Sequence, residues 1–124
     1  MKTIGQKERR RAPRITLRSA FIDVYPIDGE HKTELRGKIC DVSTVGAKFI
    51  SNKPYMKDSE IYVGLLLPSI NTVINISGRV VRCEKKSSEE YHIAIEFKEE
   101  RYQQSLLEEY IRIMKSWDKQ WERH

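Results

Sequence analysis

Residues 8–14 read ERRRAPR, which places four arginines within seven positions. Guanidinium groups this close together repel one another, so the cluster indicates that solvent or a partner takes up the charge. Arginine binds phosphate, contacts the O6/N7 edge of guanine and stacks on purine faces. Arg10 and Arg14, four positions apart, are therefore candidate contacts for a nucleotide anion, and the preceding Arg9 offers a third guanidinium.

A second polar motif, DVSTVG at residues 41–46, follows a predicted strand. Asp41 offers a hydrogen-bond acceptor, and Ser43 offers a donor and an acceptor. Gly46 permits a turn with positive φ or a close approach of a ligand. The same residues also fit a simpler interpretation, in which Asp41 and Ser43 only stabilise a turn.

Other chemistries find little support in the sequence. No nucleophile with a neighbouring base and no pair of acid and base carboxylates is evident, so we expect no enzymatic activity and no cofactor. His31, His92 and His124 are isolated and do not have metal-ligand spacing. Cys40 and Cys83 are predicted to be buried small apolar residues rather than a disulfide.

The positive charge is concentrated at the start of the chain. The net charge is +5, yet residues 1–18 carry seven Lys and Arg against Glu8, so the remainder is close to neutral. This distribution favours an anion bound at one place over general attraction to polyanions. The first residues have no apolar signal-peptide core, and Pro68, Ser69, Asn71 and Asn75 interrupt the longest uncharged stretch, so we expect a cytoplasmic protein without membrane insertion.

The middle of the chain predicts strands joined by turns. Apolar and polar residues alternate in most segments, and the alternation slips between Leu17 and Ala20, as at a β-bulge. Six strands without an intervening helix predict an antiparallel barrel or sandwich. The predicted strands lie within 15–25, 33–42, 43–51, 61–67, 72–86 and 91–97, after a basic arm at 1–14 and within a body at 15–98.

From about Glu99 to residue 124 the apolar residues recur every three or four positions, which predicts an amphipathic helix. We expect this helix to cover its own barrel. Dimerisation is the alternative, because part of the stripe also fits a short heptad pattern. The stripe comprises Tyr102, Leu106, Tyr110, Ile113, Met114, Trp117 and Trp121, and the heptad alternative comprises Leu107, Tyr110, Met114, Trp117 and Trp121.

The two motifs together resemble those of the PilZ domain family. The RxxxR pair from Arg10 to Arg14, followed by strand and turn and then the D/NxSxxG pattern from Asp41 to Gly46, is similar to the family pattern over roughly residues 8–97. The resemblance implies an all-β fold, a six-stranded antiparallel β-barrel with a C-terminal amphipathic α-helix. It also implies binding of cyclic di-GMP, a bacterial second messenger.

The resemblance assigns roles to individual positions. Arg10 and Arg14 are expected to contact the phosphates and the Hoogsteen edges of the guanines. Asp41 and Ser43 are expected to meet a guanine edge, and Gly46 to let the strand pass close beneath the ligand.

The strands also match the family in one place and depart from it in another. Gly78 matches a strand glycine common in the family. Ala94 stands where a glycine is usual, and we expect its methyl group to affect packing more than ligand contact.

The expected function is that of a single-domain receptor for cyclic di-GMP that orders its N-terminal arm on binding and signals to a partner protein in trans. Arg9 favours two ligand molecules for each chain over one. The alternative is a small barrel that binds DNA or RNA through the basic arm. Single-stranded nucleic-acid binders interleave aromatic with basic residues, whereas this arm has no aromatic residue before Phe21.

Overall fold

The computed structural model describes residues 14–17, 19–25, 35–68 and 72–122, with side chains up to Ser116. Arg9, Arg10 and the rest of the predicted basic arm before Arg14 lie outside the described residues. Among the described residues, no helix is long and apolar enough to cross a membrane.

Seven strands and one helix make up the described fold, and every strand pair is antiparallel. The elements are β1 (Ile15–Thr16), β2 (Phe21–Tyr25), β3 (Leu35–Val42), β4 (Gly46–Ser51), β5 (Glu60–Leu66), β6 (Ile74–Ser87), β7 (Glu90–Phe97) and α1 (Arg101–Glu122).

Six of these strands close into a barrel. The hydrogen-bonded order is β3, β2, β5, β6, β7 and β4, and a further pairing between β3 and β4 joins the two ends. Closure leaves no unpaired sheet edge in the ring. The predicted fold, a six-stranded antiparallel β-barrel followed by one helix, is confirmed.

The two-residue strand β1 is the first part of the segment predicted as one strand from Ile15 to Tyr25. Both β1 and β2 pair with β3, with Thr16 opposite Asp41 and Phe21 opposite Lys38. Four residues thus separate Thr16 from Phe21, whereas only two separate Asp41 from Lys38 on β3. This irregularity coincides with the slip that the sequence shows between Leu17 and Ala20.

The barrel interior is filled by inward-facing aliphatic residues and two phenylalanines, Phe49 and Phe97. The inward-facing residues of all six barrel strands and three residues of α1 form one continuous core. Burial of these side chains supplies most of the stabilisation, at about 1.5–3 kcal/mol for each large aliphatic residue.

Helix α1 packs against the barrel, beside β1 and β6. Its buried residues are Leu107, Tyr110 and Ile111. The predicted cover is therefore present, but its face differs from the predicted stripe, because Tyr102 is 71% exposed and Ile113 is 39% exposed. At about 100° per residue, Tyr102 lies about 140° around the helix from Leu107, so it points away from the core.

The heptad alternative shares residues with this cover. Leu107 and Tyr110, which would occupy two of its apolar positions, are buried against the barrel. The side chains of Trp117 and Trp121 lie outside the described residues. A homodimer through the helix stays a prediction.

We expect Leu107→Ala to lower the free energy of unfolding by about 3 kcal/mol, because it removes a fully buried side chain and leaves a cavity. Ile113→Ala is the matched control on the exposed side of the helix and should cost less than about 1 kcal/mol. Denaturant unfolding of both variants measures the difference. Equal losses would show that α1 does not seal the barrel.

Candidate functional site

A β-bulge in β3 determines the orientation of Asp41. Ile39 pairs with Phe49 on β4, but the next pair is Asp41 with Lys48, so Cys40 is an extra residue. Ile39 and Val42 are both fully buried, whereas Cys40 and Asp41 are partly exposed between them. A regular strand would turn Asp41 inward after Ile39, so the extra residue places its carboxylate on the outer surface.

A similar β-bulge occurs in β6. Val80 pairs with Ile95 on β7, and the next pair is Arg82 with Ala94, so Val81 is the extra residue. Val80 is fully buried, while Arg82 is exposed. The second bulge therefore brings a guanidinium to the outer surface.

The two bulges align four residues on four adjacent strands. Asp41 on β3 pairs with Lys48 on β4, Lys48 with Ala94 on β7, and Ala94 with Arg82 on β6. Neighbouring strands lie about 4.8 Å apart, so this lateral row spans roughly 14 Å of the outer surface. The row carries one carboxylate, two cations and one methyl group.

The residue before β1 reaches one end of this row. Arg14 Nη1 lies 3.6 Å from Asp41 Oδ1, with the Arg14 side chain 54% exposed and the Asp41 side chain 24% exposed. Arg14, Asp41, Gly46, Lys48 and Arg82 line one depression of about 160 Å³. The structure thus brings together one residue of the RxxxR motif and two of the DxSxxG motif.

Ser43, the third predicted residue of the DxSxxG motif, is almost fully buried in the turn before β4. Its Oγ accepts a hydrogen bond from the Val45 amide at 3.2 Å and lies 3.4 Å from the Gly46 carbonyl oxygen. Its amide donates to the same carbonyl oxygen at 2.8 Å. Ser43 therefore shapes the turn, and it does not line the depression beside Arg14.

The helix holds this turn in place. The Gln104 side-chain amide donates to the Thr44 carbonyl oxygen at 3.1 Å, and the Phe97 amide donates to the Val45 carbonyl oxygen at 2.8 Å. The turn is thus joined both to α1 and to the end of β7.

Position 46 requires a glycine because β4 and β7 approach each other closely there. Its φ lies outside the left-handed region, so positive φ, one of the two roles suggested by the sequence, does not apply. A Cβ at this position would lie 2.3 Å from the Ile95 carbonyl oxygen on β7. The missing side chain therefore lets β4 lie tightly on β7 beneath the depression.

The Ala94 side chain is largely buried on the outer side of β7, and the expectation that its methyl group affects packing more than ligand contact stays a prediction. Although mostly buried, it is not part of the hydrophobic core. It stands between Lys48 and Arg82 in the lateral row, and it lines both depressions of this surface. Ala94 thus forms part of the floor of both depressions.

The second depression, of about 220 Å³, adjoins the first and shares Lys48, Arg82 and Ala94 with it. Its other lining residues include Cys40, Glu84, Lys86 and His92. We refer to the two depressions together as the groove.

Both cysteines are free, as the sequence predicts, but the prediction that they are buried is wrong, because Cys40 and Cys83 are each half-buried. The bulge turns Cys40 toward the surface. Burial, with a smaller effect of Asp41, raises the pKa of the Cys40 thiol. Cys40 is therefore protonated at neutral pH and does not add to the charge of the groove.

The described residues contain no cluster of three or more His, Cys, Asp or Glu side chains that could hold a metal ion. His92 Nε2 lies 2.8 Å from Glu90 Oε2, so this histidine has a carboxylate partner at the edge of the second depression.

Comparison with known proteins assigns the fold to a family. The PilZ domain model matches residues 8–112, which include both motifs and all seven strands. The chain belongs to the PilZ domain family. No curated protein matches its sequence.

Three solved structures show the same fold. K. pneumonia MrkH in complex with c-di-GMP has a TM-score of 0.70 at 23% identity, over 90% of this chain and 54% of that one. The Bacillus subtilis inhibitor of motility MotI/DgrA has a TM-score of 0.68 at 18% identity, over 89% and 52%. The PilZ domain of Escherichia coli YcgR with c-di-GMP has a TM-score of 0.67 at 15% identity, over 90% and 95%. The chain spans about half the length of MrkH and MotI/DgrA.

Sequence reasoning missed two cations of this PilZ groove, Lys48 and Arg82. The sequence does indicate them, because the alternation of inward-facing and outward-facing residues is interrupted twice. Inward-facing residues are three positions apart at Ile39 and Val42 and again at Val80 and Cys83. Each interruption marks an extra residue in its strand.

We expect Gly46→Ala to destabilise the barrel by about 2 kcal/mol or more, because the new methyl group meets a backbone oxygen that cannot move aside alone. Gly78→Ala is the matched control, since its Cβ would also approach a carbonyl oxygen of β7, that of Glu96, but at the longer distance of 3.0 Å. Its cost should be smaller. Thermal unfolding compares the two, and an unchanged melting temperature for Gly46→Ala would contradict the close approach.

Proposed function

We propose that this PilZ chain is a cytoplasmic receptor for cyclic di-GMP that acts by binding rather than by catalysis. The observation that carries the proposal is the meeting of the two motifs: Arg14 and Asp41, far apart in sequence, face each other at 3.6 Å over the groove. The structures of MrkH and of the YcgR PilZ domain, which hold c-di-GMP on the same fold, support this ligand.

Arg14 and Asp41 complement different parts of such a ligand. The guanidinium of Arg14 suits a phosphate or the Hoogsteen edge of guanine, and the carboxylate of Asp41 suits the N–H donors of a guanine edge. The ion pair between them is exposed and long, so its loss costs at most about 1 kcal/mol. A ligand can therefore replace it with shorter charge-assisted hydrogen bonds to each residue.

Arg9 and Arg10 are proposed to complete the site from the N-terminal arm. They lie five and four positions before Arg14, and Glu8 is the one acidic residue in the sequence around them. A doubly charged ligand offsets their mutual repulsion, so we propose that residues 1–13 become ordered when it binds.

The bound state is proposed to signal to a partner protein in trans. The Gln104 bond to Thr44 connects the DxSxxG turn with α1, and part of α1 remains exposed, including Tyr102 and Ile113. A change at the turn on binding can thus reach a surface that a partner can contact.

Arg14→Ala tests the site directly. We expect a loss of cyclic di-GMP affinity of about 2 kcal/mol or more in calorimetric titration, because charge-assisted hydrogen bonds to the phosphate disappear. Arg112→Ala is the matched control, since Arg112 is also an exposed arginine and pairs with Glu109 on α1. Cyclic di-AMP and a short oligonucleotide serve as ligand controls. Preferential binding of the oligonucleotide, or equal affinity of both arginine variants, would contradict the proposal.

Hydrogen exchange tests the ordering of the arm. Amides of residues 1–13 should exchange rapidly in the free chain and gain protection with cyclic di-GMP, because only the ligand offsets the entropy of fixing the arm. The same amides in Arg14→Ala at equal ligand concentration provide the control. Protection already present without ligand would rule out this switch.

A further inference from the structure

The groove continues beyond the two motifs into a second group of charges. On β6, Arg82 and Glu84 occupy alternate positions and therefore share one face of the strand. Lys86 lies at a further register shift, between Lys85 and Ser87, and its side chain meets Glu84 on the same surface. Glu84 Oε1 lies 3.4 Å from Arg82 Nη1, and Glu84 Oε2 lies 3.4 Å from Lys86 Nζ. All three residues line the second depression.

The Glu84 carboxylate thus forms ion pairs with two cations, Arg82 and Lys86. Lys86 first, and Arg82 to a smaller degree, lower the pKa of the Glu84 carboxyl group, so Glu84 is charged at neutral pH. Lys48 faces the same depression from β4 and has no carboxylate within ion-pair distance among the described residues. The depression therefore holds an excess of positive charge even with Glu84 ionised.

These ion pairs are weakly held. The Arg82 side chain is 59% exposed, and those of Glu84 and Lys86 are each 46% exposed. Both distances are at the long end for a hydrogen bond, and solvent screens such contacts strongly. An anion that offers shorter contacts can displace Glu84 from both cations at little cost.

We propose that Lys48, Arg82 and Lys86 form a second anion subsite that takes a phosphodiester group of the cyclic dinucleotide, with Glu84 as an exchangeable counterion that the ligand displaces. The inference rests on the proposed function and extends it along the barrel surface. Arg82 is the central residue, because it lines both depressions and ends the lateral row that begins at Asp41.

The geometry matches the two anionic groups of this ligand. A cyclic dinucleotide carries two phosphodiesters, while Arg14 stands over only one depression. The phosphodiester at the second subsite comes either from the far side of the same molecule or from a second molecule stacked beside it. The subsite recognises the same chemistry in both cases.

Two opposite charge changes test the subsite. Relative to the wild-type chain, Arg82→Gln should weaken cyclic di-GMP binding about tenfold or more, because it removes charge-assisted contacts to the phosphodiester. Glu84→Gln should strengthen binding about threefold or more, because the cations no longer have to be released from a carboxylate. Calorimetric titration at about 0.15 M salt keeps long-range effects of net charge small.

The helix offers matched controls for both variants. Arg112 and Glu109 form an exposed ion pair on α1, outside the groove. Arg112→Gln and Glu109→Gln change the net charge by the same amounts and should leave affinity within about twofold of wild type, since neither residue lines the groove and salt screens exposed charges. Equal melting temperatures of the four variants establish that they are folded.

The outcomes separate the subsite from the proposed function. The subsite alone would be overturned if the wild-type chain binds but the affinity of Arg82→Gln equals that of Arg112→Gln. It would also be overturned if Glu84→Gln binds no more tightly than Glu109→Gln. No binding by the wild-type chain would overturn the proposed function and this inference with it. Loss of one of two bound ligands in Arg82→Gln assigns the subsite to a second molecule, and weaker binding at unchanged stoichiometry assigns it to the same molecule.

Discussion

The groove depends on a change of phase in two strands of a closed barrel. Closure requires one side of every strand to face the core, so the alternation of apolar residues normally decides which side chains reach the surface. One extra residue at Cys40 and another at Val81 reverse that phase locally. Without the first, the Asp41 carboxylate would turn into an apolar interior, and without the second Arg82 would do so. Both would carry a desolvation penalty of several kcal/mol. The bulges therefore place these side chains on the outer surface while Val42 and Cys83 still face the core.

A second constraint fixes the turn that follows Asp41. Gly46 allows the backbone of β4 to approach Ile95, the Ser43 hydroxyl group accepts a hydrogen bond within the turn, and Gln104 attaches the turn to α1. The same contacts connect the groove with the helix that seals the barrel through Leu107. The contacts that stabilise the barrel and helix thus also fix the position of the groove.

Much of this arrangement can be predicted from the sequence because it is encoded locally. Alternating residues predicted the strands, the three-to-four spacing predicted α1, and the arginine pair with the DxSxxG pattern predicted the family. The lateral row was not predictable in the same way. Lys48 meets Ala94 only through the register between β4 and β7, which are far apart in sequence, and no local pattern specifies that register. Arg82 and Ala94 lie on consecutive strands, but their pairing depends on the extra residue Val81 in β6. The exposed position of Tyr102 was missed for a related reason, since helical spacing alone does not decide which face meets the barrel.

The charged pairs of this molecule divide into fixed and exchangeable ones. Asp23 is buried, and its carboxylate accepts hydrogen bonds from Arg36 Nε at 2.7 Å and Nη2 at 2.9 Å. Removing Arg36 would leave the buried Asp23 carboxylate without this partner, so the pair belongs to the fold. The pairs along the groove are longer and more exposed, from Arg14 with Asp41 at 3.6 Å to Arg82 with Glu84 at 3.4 Å. Because water already competes for these contacts, an anionic ligand can exchange partners with them while the barrel beneath keeps every contact that holds it together.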